Sequence, residues 1–268
     1  MQLLIYNPAG GSGKTTLARN LAHELGHQGL GLNVLALDFD ANSQLSRMCG
    51  KFTEFHQGQP FELADLAEGN NVPLHRSFGI QLLPGGPKSV LLQLSLHSRG
   101  YRETTLTAHL EPLVAAADIT IIDVAPGYGA MTLCAVNFAT HLLIPFDLSA
   151  TSFLNAAQVL NRFRKLPLKQ IGFVPMQTRG DGSTARKILA QAKTVLEVQG
   201  PVLPTVQFRQ SILVAEHDYL PLRISMPECV NVQVFRAIAE HVRLELQSST
   251  QEPRGLPLSS RSLVPFTP

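Results

Sequence analysis

A glycine-rich turn near the start of the chain limits the possible folds more than any other feature. An apolar run from Leu3 to Tyr6 leads into residues 8–16, Pro-Ala-Gly-Gly-Ser-Gly-Lys-Thr-Thr, and a helical pattern begins at Lys14. Glycines let the backbone turn tightly, so that its N–H groups point inward at an anion, and the N-terminus of the following helix adds about half a positive charge. The order strand, loop, helix therefore predicts a phosphate-binding loop in an α/β domain.

The residue types in this loop suit a nucleoside triphosphate. Lys14 can reach the β- and γ-phosphates, and the Thr15 hydroxyl can join the shell of a Mg²⁺ ion. Pro8 stands where the strict form of the motif has glycine. We expect ATP and Mg²⁺ as ligands, with the nucleotide held by Gly10, Gly11, Ser12, Gly13, Lys14, Thr15 and Thr16.

Further along the chain, carboxylates follow two more apolar runs. Asp38 and Asp40 come directly after Leu35-Ala36-Leu37, and Asp123 ends the run from Ile119 to Ile122. The carboxyl ends of parallel strands meet at one edge of a sheet, which is where open α/β sheets bind their ligands. Acids at that edge can hold Mg²⁺ and orient water.

Short apolar runs alternate with helical patterns over most of the chain. Runs without polar alternation are typical of strands covered on both faces, so we expect an open, mostly parallel sheet with helices on both faces. The predicted strands are Leu3 to Tyr6, Asn33 to Leu37, Ile80 to Leu83, Ile119 to Ile122, Leu142 to Pro145 and Ile171 to Val174. The predicted helices are Lys14 to His27, Ser152 to Lys165, Ser183 to Glu197 and Val230 to Leu246.

The composition excludes several other classes of protein. The chain has 268 residues, and no apolar run approaches the ~18 residues of a membrane span, so we expect a cytoplasmic protein. Its three cysteines are scattered without a CxxC pair, which excludes a disulfide framework and a four-thiolate metal site. We place one ATPase domain at 1–247 and a disordered tail at 248–268, because four prolines and five serines leave the tail too few apolar residues to fold.

Taken together, these motifs resemble the ParA/MinD family of deviant Walker A P-loop ATPases. That family has a KGGxGK[ST] loop, a DxDPQ element and a strand that ends in Asp before a Pro-containing turn. The corresponding segments here are Ala9 to Thr15, Asp38 to Asn42 and Asp123 to Pro126. The likeness covers roughly residues 1 to 246, and it implies an ATPase that dimerises around two ATP molecules.

The resemblance also assigns roles to individual residues. It implies that Lys14 binds phosphate, that Thr15 and Asp123 serve Mg²⁺, that Asp40 orients the attacking water and that Asp38 supports the metal shell. Phosphoryl transfer is mostly positioning and charge neutralisation, so few residues are needed. The resemblance further implies base contacts near Met176, Gln177, Phe208 and Arg209.

One position departs from the family pattern. The signature lysine, which crosses the dimer to the partner's phosphates, is Ala9 here, as in the McdA subgroup that spaces carboxysomes with an adaptor, McdB. Two nucleotides held face to face carry a large negative charge, so we expect another cation to substitute. The candidates are Arg162, Arg164, Lys165 and Lys169; the alternative is that Mg²⁺ and loop amides suffice, or that no such dimer forms.

Charge is distributed unevenly along the chain. Residues 1–160 hold 8 Lys+Arg and 12 Asp+Glu, whereas residues 161–268 hold 14 and 8, so a net −4 is followed by a net +6. With the family resemblance, the basic half predicts non-specific DNA binding to the nucleoid. The predicted function is a positioning or partition ATPase with a small McdB- or ParB-like adaptor, whose cargo is a carboxysome or a plasmid.

Two other functions stay open, and one motif is set aside. The alternatives are a metabolic P-loop ligase of the dethiobiotin-synthetase type and a Min-like regulator at a membrane, which the Pro/Ser tail disfavours. The segment from His23 to His27 matches the HExxH zinc-protease pattern, but it lies on the helix after the phosphate loop. We interpret it as a solvated helix face.

Overall fold

The computed structural model describes residues 1–51, 62–98, 103–177, 183–207 and 209–250. Within these residues, eight strands form one sheet in the order β3-β4-β2-β5-β1-β6-β7-β8. Their bounds are β1 Gln2–Ile5, β2 Val34–Asp38, β3 His75–Ser77, β4 Ile80–Leu83, β5 Ile119–Asp123, β6 His141–Phe146, β7 Lys169–Gln177 and β8 Val206–Gln207. Neighbouring strands run parallel except β3 and β4, so the predicted open, mostly parallel sheet is confirmed.

Helices connect these strands. Their bounds are α1 Lys14–Leu25, α2 Gln44–Ser46, α3 Leu63–Ala67, α4 Lys88–Ser98, α5 Glu103–Ala115, α6 Ala130–Phe138, α7 Ala150–Phe163, α8 Ser183–Glu197, α9 Gln210–His217, α10 Leu222–Ser225 and α11 Val230–Thr250. A kinked segment, Arg47–Lys51, follows α2, and its Cys49 and Gly50 do not have helical dihedral angles. In the part of the chain that the structure describes, no helix is long and apolar enough to cross a membrane.

Both faces of the sheet are buried, as the uninterrupted apolar strands require. In β1, Leu4 faces one hydrophobic core, whereas Leu3 and Ile5 face the other. The first core is closed by helices that include α5, α6 and α7, and the second by α1 and α11. The second core fixes α1 against the sheet, and α1 carries the phosphate loop at its N-terminus.

The C-terminal helix extends past the predicted domain boundary at residue 247. It continues to Thr250, and the hydroxyls of Ser248 and Ser249 donate to carbonyls one turn back, at Leu244 and Glu245. Residues 251–268 of the predicted tail lie outside the described residues, so their disorder stays a prediction.

The HExxH segment does not form the helical pair of imidazoles that zinc binding needs. Helix α1 ends at Leu25, so His27 lies beyond it and is exposed. The interpretation as a solvated face is wrong for His23, which is 2% exposed and packs edge-on against the Phe78 ring. Burial, together with the charge of Arg19, lowers the pKa of His23 to about 3, so this imidazole is neutral at physiological pH.

Candidate functional site

The phosphate loop depends on one glycine for two separate reasons. Gly13 immediately precedes α1 with φ at 86°, a left-handed conformation that side chains disfavour. A Cβ at Gly13 would also lie 2.8 Å from both Cγ and Cε of Met176 on β7. Glycine therefore sets the turn into α1 and leaves room for Met176 beside the loop.

Lys14 is buried at the first position of α1. Its ammonium donates to the Ala9 carbonyl at 2.8 Å and to the Ser12 hydroxyl at 3.4 Å, so it spans the loop. Burial lowers the pKa of Lys14, and the carboxylates of Asp123 and Asp40 oppose that shift. The lysine thus lies between the loop and two acids, where it can neutralise phosphate charge.

The start of the loop is held by the side chain of Asn7, which is fully buried. Its amide nitrogen donates to the carbonyls of Pro145 and Ser152, and its oxygen accepts the Ala9 N–H at 2.9 Å. This one amide therefore ties the loop to the end of β6 and to the start of α7.

Asp38 and Asp123 are the central acids, and both are fully buried. They are directly paired in register at the carboxyl ends of β2 and β5, so the sheet holds two carboxylates side by side. Asp38 accepts from the Asp40 N–H and from the N–H and hydroxyl of Ser46. Burial still raises the pKa of Asp38, to about 6.

Asp123 is less well stabilised by hydrogen bonds than Asp38. Neither of its carboxylate oxygens has a partner at hydrogen-bond geometry among the described residues. Burial and the neighbouring Asp38 raise its pKa well above the ordinary carboxyl value, and the Thr15 hydroxyl and the charge of Lys14 offset this only in part. A cation beside Asp123 would relieve both the burial and the repulsion.

The donors at this edge fit Mg²⁺ that is bound together with phosphate. They are hard carboxylate and hydroxyl oxygens, which Mg²⁺ prefers. No group of three His, Cys, Asp or Glu side chains in the described ranges could hold a metal by itself. That composition suits a Mg²⁺ ion that keeps several waters and takes one or two protein ligands, here Thr15 and Asp123, beside the phosphates.

A cavity of about 390 Å³ opens above the loop, a volume within the range of small-molecule sites. Its lining combines polar groups, among them Lys14 and Asp40, with apolar side chains. Its described lining residues are Gly11, Ser12, Gly13, Lys14, Thr15, Thr16, Asp40, Asn42, Gln44, Met48, Val124, Pro126, Met176, Val206, Gln207, Ile212, Leu213 and Glu216.

The structure brings together most of the residues that the sequence singles out. The loop residues from Gly11 to Thr16, with Asp40 and Met176, line the cavity, whereas Asp38 and Asp123 are fully buried and do not line it. Gly10 belongs to the loop without lining the cavity. Phe208 lies outside the described residues, and Gln177 is described only in its backbone.

Arg209 lies beside a second, more open cavity, and its guanidinium donates to the Gln207 side chain.

Sequence reasoning missed Ser46, whose hydroxyl donates to Asp38, and Glu216, which lines the main cavity. Ser46 lies eight residues after Asp38, where no motif extends. Glu216 lies 200 residues from the loop it contacts, so only the fold brings it there.

Gly13 has both a left-handed φ and a close neighbour, so its replacement by Ala should lower the free energy of unfolding for two reasons. Gly13→Ala should cost about 1–2 kcal/mol for its left-handed φ and a further 1–3 kcal/mol for crowding against Met176. Gly31→Ala is the matched control, because Gly31 has φ of 82° with nothing near its Cβ position. Urea denaturation should show the larger loss for Gly13→Ala. Met176→Ala in the same chain should remove most of the excess, because only the Met176 Cβ, 3.2 Å from the new methyl group, then remains close; equal losses at both glycines would contradict the crowding.

Because Asp123 is buried beside a second carboxylate, we expect Asp123→Asn to stabilise the nucleotide-free protein. Because the folded-state pKa of Asp123 is raised, the wild type loses stability as pH rises through that pKa, and the variant does not. The gain should be on the order of 1–3 kcal/mol at pH 8 and smaller at pH 5. Chemical denaturation at both pH values measures it, and a variant that is less stable than wild type at pH 8 would refute the idea.

Several known proteins are similar to this chain. A family model described as an AAA domain matches residues 2–171, more than half of the chain. An uncharacterized ATP-binding protein of Methanocaldococcus jannaschii is 27% identical over 88% of this chain and 85% of its own length. The chromosome partitioning protein ParA of Myxococcus xanthus is 31% identical over 54% of this chain, and the match spans about half (51%) of that ParA.

Among solved structures, apo McdA of Cyanothece has a TM-score of 0.74 at 23% identity, covering 90% of this chain and 98% of that one. MinD of Pyrococcus horikoshii with Mg-ADP has a TM-score of 0.74 at 22% identity, covering 90% and 95%. The ParA of pNOB8, solved bound to nonspecific DNA, has a TM-score of 0.66 at 19% identity, covering 93% and 99%.

A biosynthetic enzyme shares the fold as well. Cobyrinic acid a,c-diamide synthase of Mycobacterium smegmatis, solved with an ATP analog and magnesium, has a TM-score of 0.72 at 22% identity, covering 94% and 98%. These structural likenesses show the fold, and the matching family model and the phosphate loop show the family. The chain belongs to the ParA/MinD family of P-loop ATPases.

Proposed function

We propose that this chain is a positioning or partition ATPase whose ATP-bound dimer associates non-specifically with nucleoid DNA and is released when an adaptor protein stimulates hydrolysis. One observation carries the proposal: Lys14 and Asp40 line the same cavity as the loop, and the buried Asp123 acts electrostatically on Lys14. This arrangement combines a phosphate binder with two acids. It suits slow hydrolysis that acts as a timer.

Each residue of the site has a proposed task. Lys14 and the loop amides would hold the β- and γ-phosphates, and Thr15 and Asp123 would hold Mg²⁺, whose charge would offset that of the phosphates. Asp40 lines the cavity and orients the attacking water. Asp38 accepts the Asp40 N–H at 3.0 Å and the Ser46 hydroxyl, and so fixes the backbone that carries Asp40.

Among the four candidates to replace the cation missing at Ala9, the contacts favour Arg162. Its guanidinium lies 4.7 Å from the centre of the Tyr128 ring. Gly127, the residue before Tyr128, donates its N–H to the carbonyl of Pro8 in the phosphate loop. Lys169 is at the amino end of β7 and its ammonium lies 2.9 Å from Glu245, away from the site. Arg164 and Lys165 are exposed just beyond the end of α7.

The cargo depends on the adaptor, and two kinds are proposed. The Ala9 loop and the likeness to McdA support a protein compartment such as a carboxysome, with an McdB-like adaptor. The likeness to partitioning ParA supports a plasmid or chromosome with a ParB-like adaptor. The neighbouring genes, and a pull-down of their products in the presence of ATP, distinguish the two.

A metabolic ligase is the second candidate, because cobyrinic acid a,c-diamide synthase shares the fold. A ligase must bind an acceptor substrate beside the γ-phosphate. The charged groups among the described residues that line the cavity are Lys14, Asp40 and Glu216, and the first two serve the phosphates, the metal and water. That leaves little for an acceptor, so the ligase is the weaker proposal.

ATP hydrolysis and dimerisation test the proposal directly. Wild-type protein should hydrolyse ATP only with Mg²⁺, and Lys14→Ala should lose nucleotide binding. Asp40→Ala should still bind ATP but should hydrolyse it at least about a hundredfold more slowly, because the position of the attacking water matters in the transition state. Light scattering should then show an ATP-bound dimer of Asp40→Ala; a variant that stays monomeric with ATP bound would contradict the face-to-face dimer.

Exposed cations near the same edge of the sheet support DNA binding. Helix α8 begins after β7, at the carboxyl edge where the phosphate loop lies, and its Arg186 and Lys187 are exposed. Several other basic residues face acids instead: Arg236 and Arg243 both contact Glu240, and Arg223 lies 3.8 Å from Glu24. The exposed pair on α8 is therefore the better candidate for contacts with DNA phosphates.

The DNA proposal predicts affinity for random duplex with ATP but not with ADP, falling steeply with salt as counterions are released. Replacing both Arg186 and Lys187 with Ala should lower the log–log salt slope by about 2 per protomer. Replacing both Arg236 and Arg243 with Ala is the control, because these two already contact Glu240. Equal binding with ADP, or an unchanged slope in the α8 variant, would overturn the prediction; fluorescence anisotropy measures both.

A further inference from the structure

A buried serine joins two turns at the carboxyl edge of the sheet. Ser46, the last residue of α2, is fully buried and is not among the described residues that line the nucleotide cavity. Its hydroxyl donates to Oδ2 of Asp38 at 2.6 Å and accepts the N–H of Gly85, in the turn after β4, at 3.2 Å. A hydroxyl suits this place because it donates and accepts at the same time.

Asp38 passes this restraint on to Asp40. Oδ2 of Asp38 also accepts the backbone N–H of Ser46 at 2.9 Å, and Oδ1 accepts the N–H of Asp40 at 3.0 Å, so both oxygens are held. The carboxylate of Asp40 is held in turn, because its Oδ1 accepts the Asn42 N–H at 2.8 Å. A continuous chain of hydrogen bonds therefore runs from Gly85 through Ser46 and Asp38 to Asp40.

The two turns that Ser46 joins are in close backbone contact. Strands β2 and β4 are parallel neighbours, so the turns that follow them meet at one edge of the sheet. A Cβ at Gly85 would lie 2.6 Å from the carbonyl oxygens of both Asp38 and Asp40. Without the Ser46 hydroxyl, Asp38 would lose a donor at this contact and the buried Gly85 N–H would lose its acceptor. Buried polar groups that lose their partners are costly, so these turns would shift to find new ones.

We infer that Ser46 is a positioning residue for ATP hydrolysis: through Asp38 it fixes the backbone at Asp40, and so the place of the carboxylate that orients the attacking water. The inference rests on the proposed function, because that function assigns the water to Asp40. Since Ser46 does not line the cavity, its effect reaches the reaction through Asp40 and leaves the binding of ATP intact. A misplacement of about 1 Å in a catalytic group is enough to slow a reaction about a hundredfold.

The first test is the steady-state hydrolysis of ATP by Ser46→Ala in the presence of Mg²⁺. Its kcat should fall about ten- to a hundredfold, while KM and the calorimetric affinity for ATP change by less than about twofold. Ser89→Ala is the matched control. Ser89 is 1% exposed, and its hydroxyl has no hydrogen-bond partner among the described residues, so this variant removes a buried serine hydroxyl and should leave kcat unchanged.

A second variant keeps part of the interaction. Ser46→Cys replaces the hydroxyl with a thiol, which is a weak donor and a weak acceptor. Its kcat should lie between those of the wild type and Ser46→Ala. Because the thiol leaves neither Asp38 nor Gly85 without a neighbour, this variant also serves if Ser46→Ala does not fold, which urea denaturation of each variant shows.

A double variant separates positioning of Asp40 from general loosening of the site. If Ser46 acts through Asp40, the two substitutions are not additive, because the second removes the group that the first displaces. Adding Ser46→Ala or Ser46→Cys to Asp40→Ala should therefore change the residual rate by less than about twofold. General loosening would lower the rate by the same factor in both backgrounds.

Three results would overturn the inference. Wild-type kcat in a folded Ser46→Ala or Ser46→Cys variant, with a slow Asp40→Ala, would show that Ser46 does not position Asp40, and the proposed ATPase function would still stand. Equal losses in both backgrounds, or an equal loss of ATP affinity and kcat, would show that Ser46 is structural only. Wild-type kcat in Asp40→Ala would refute the proposed role of Asp40, and this inference with it.

Discussion

Two carboxylates buried side by side are the feature on which this site depends. Register pairing of β2 with β5 brings Asp38 and Asp123 to the same level of the sheet, where neither side chain reaches solvent. Asp38 is stabilised by Ser46 and the Asp40 N–H, whereas the oxygens of Asp123 have no partner at hydrogen-bond geometry within the described ranges. The fold therefore buries negative charge that a bound cation or a proton would neutralise. The charge of Lys14 offsets only part of the effect of burial and of Asp38 on Asp123.

Helix α1 connects this charged edge to the rest of the cavity. Its N-terminus carries the phosphate loop, and one of its faces makes polar contacts with the segment from Ala215 to Arg223. Thr16 donates to Glu216, Arg19 donates to two carbonyls of the segment, and Asn20 accepts the Leu222 N–H at 3.3 Å. The same helix thus carries the phosphate loop and fixes the carboxylate of Glu216 at the cavity.

Much of this arrangement could be predicted because its signals are local. A strand, a glycine loop and Lys14-Thr15 stand next to one another in the sequence, and Asp38 and Asp123 each end an apolar run. All six predicted strands are found, with ends that differ by a few residues. Strand β3, His75–Ser77, was missed because it has no apolar run, and β8 because it has only two residues.

The parts that could not be predicted depend on distant contacts. The burial of His23 comes from Phe78 and the second core, which a helical pattern alone does not reveal. The crowding of Gly13 by Met176 and the bond from Thr16 to Glu216 each join residues that lie more than 160 positions apart. The roles of Asp40, Thr15 and Arg209 stay predictions, because geometry alone does not test them.

The central claim is that this edge binds ATP through a metal ion held against the buried acids. The most direct measurement is calorimetric titration of ATP into the wild-type protein with Mg²⁺ and then with excess chelator. We expect stoichiometric binding of one ATP per chain with Mg²⁺ and an affinity at least about tenfold lower without it, since the metal offsets the repulsion between phosphate and carboxylate. Binding of equal strength in both conditions, or no binding with Mg²⁺, would contradict it.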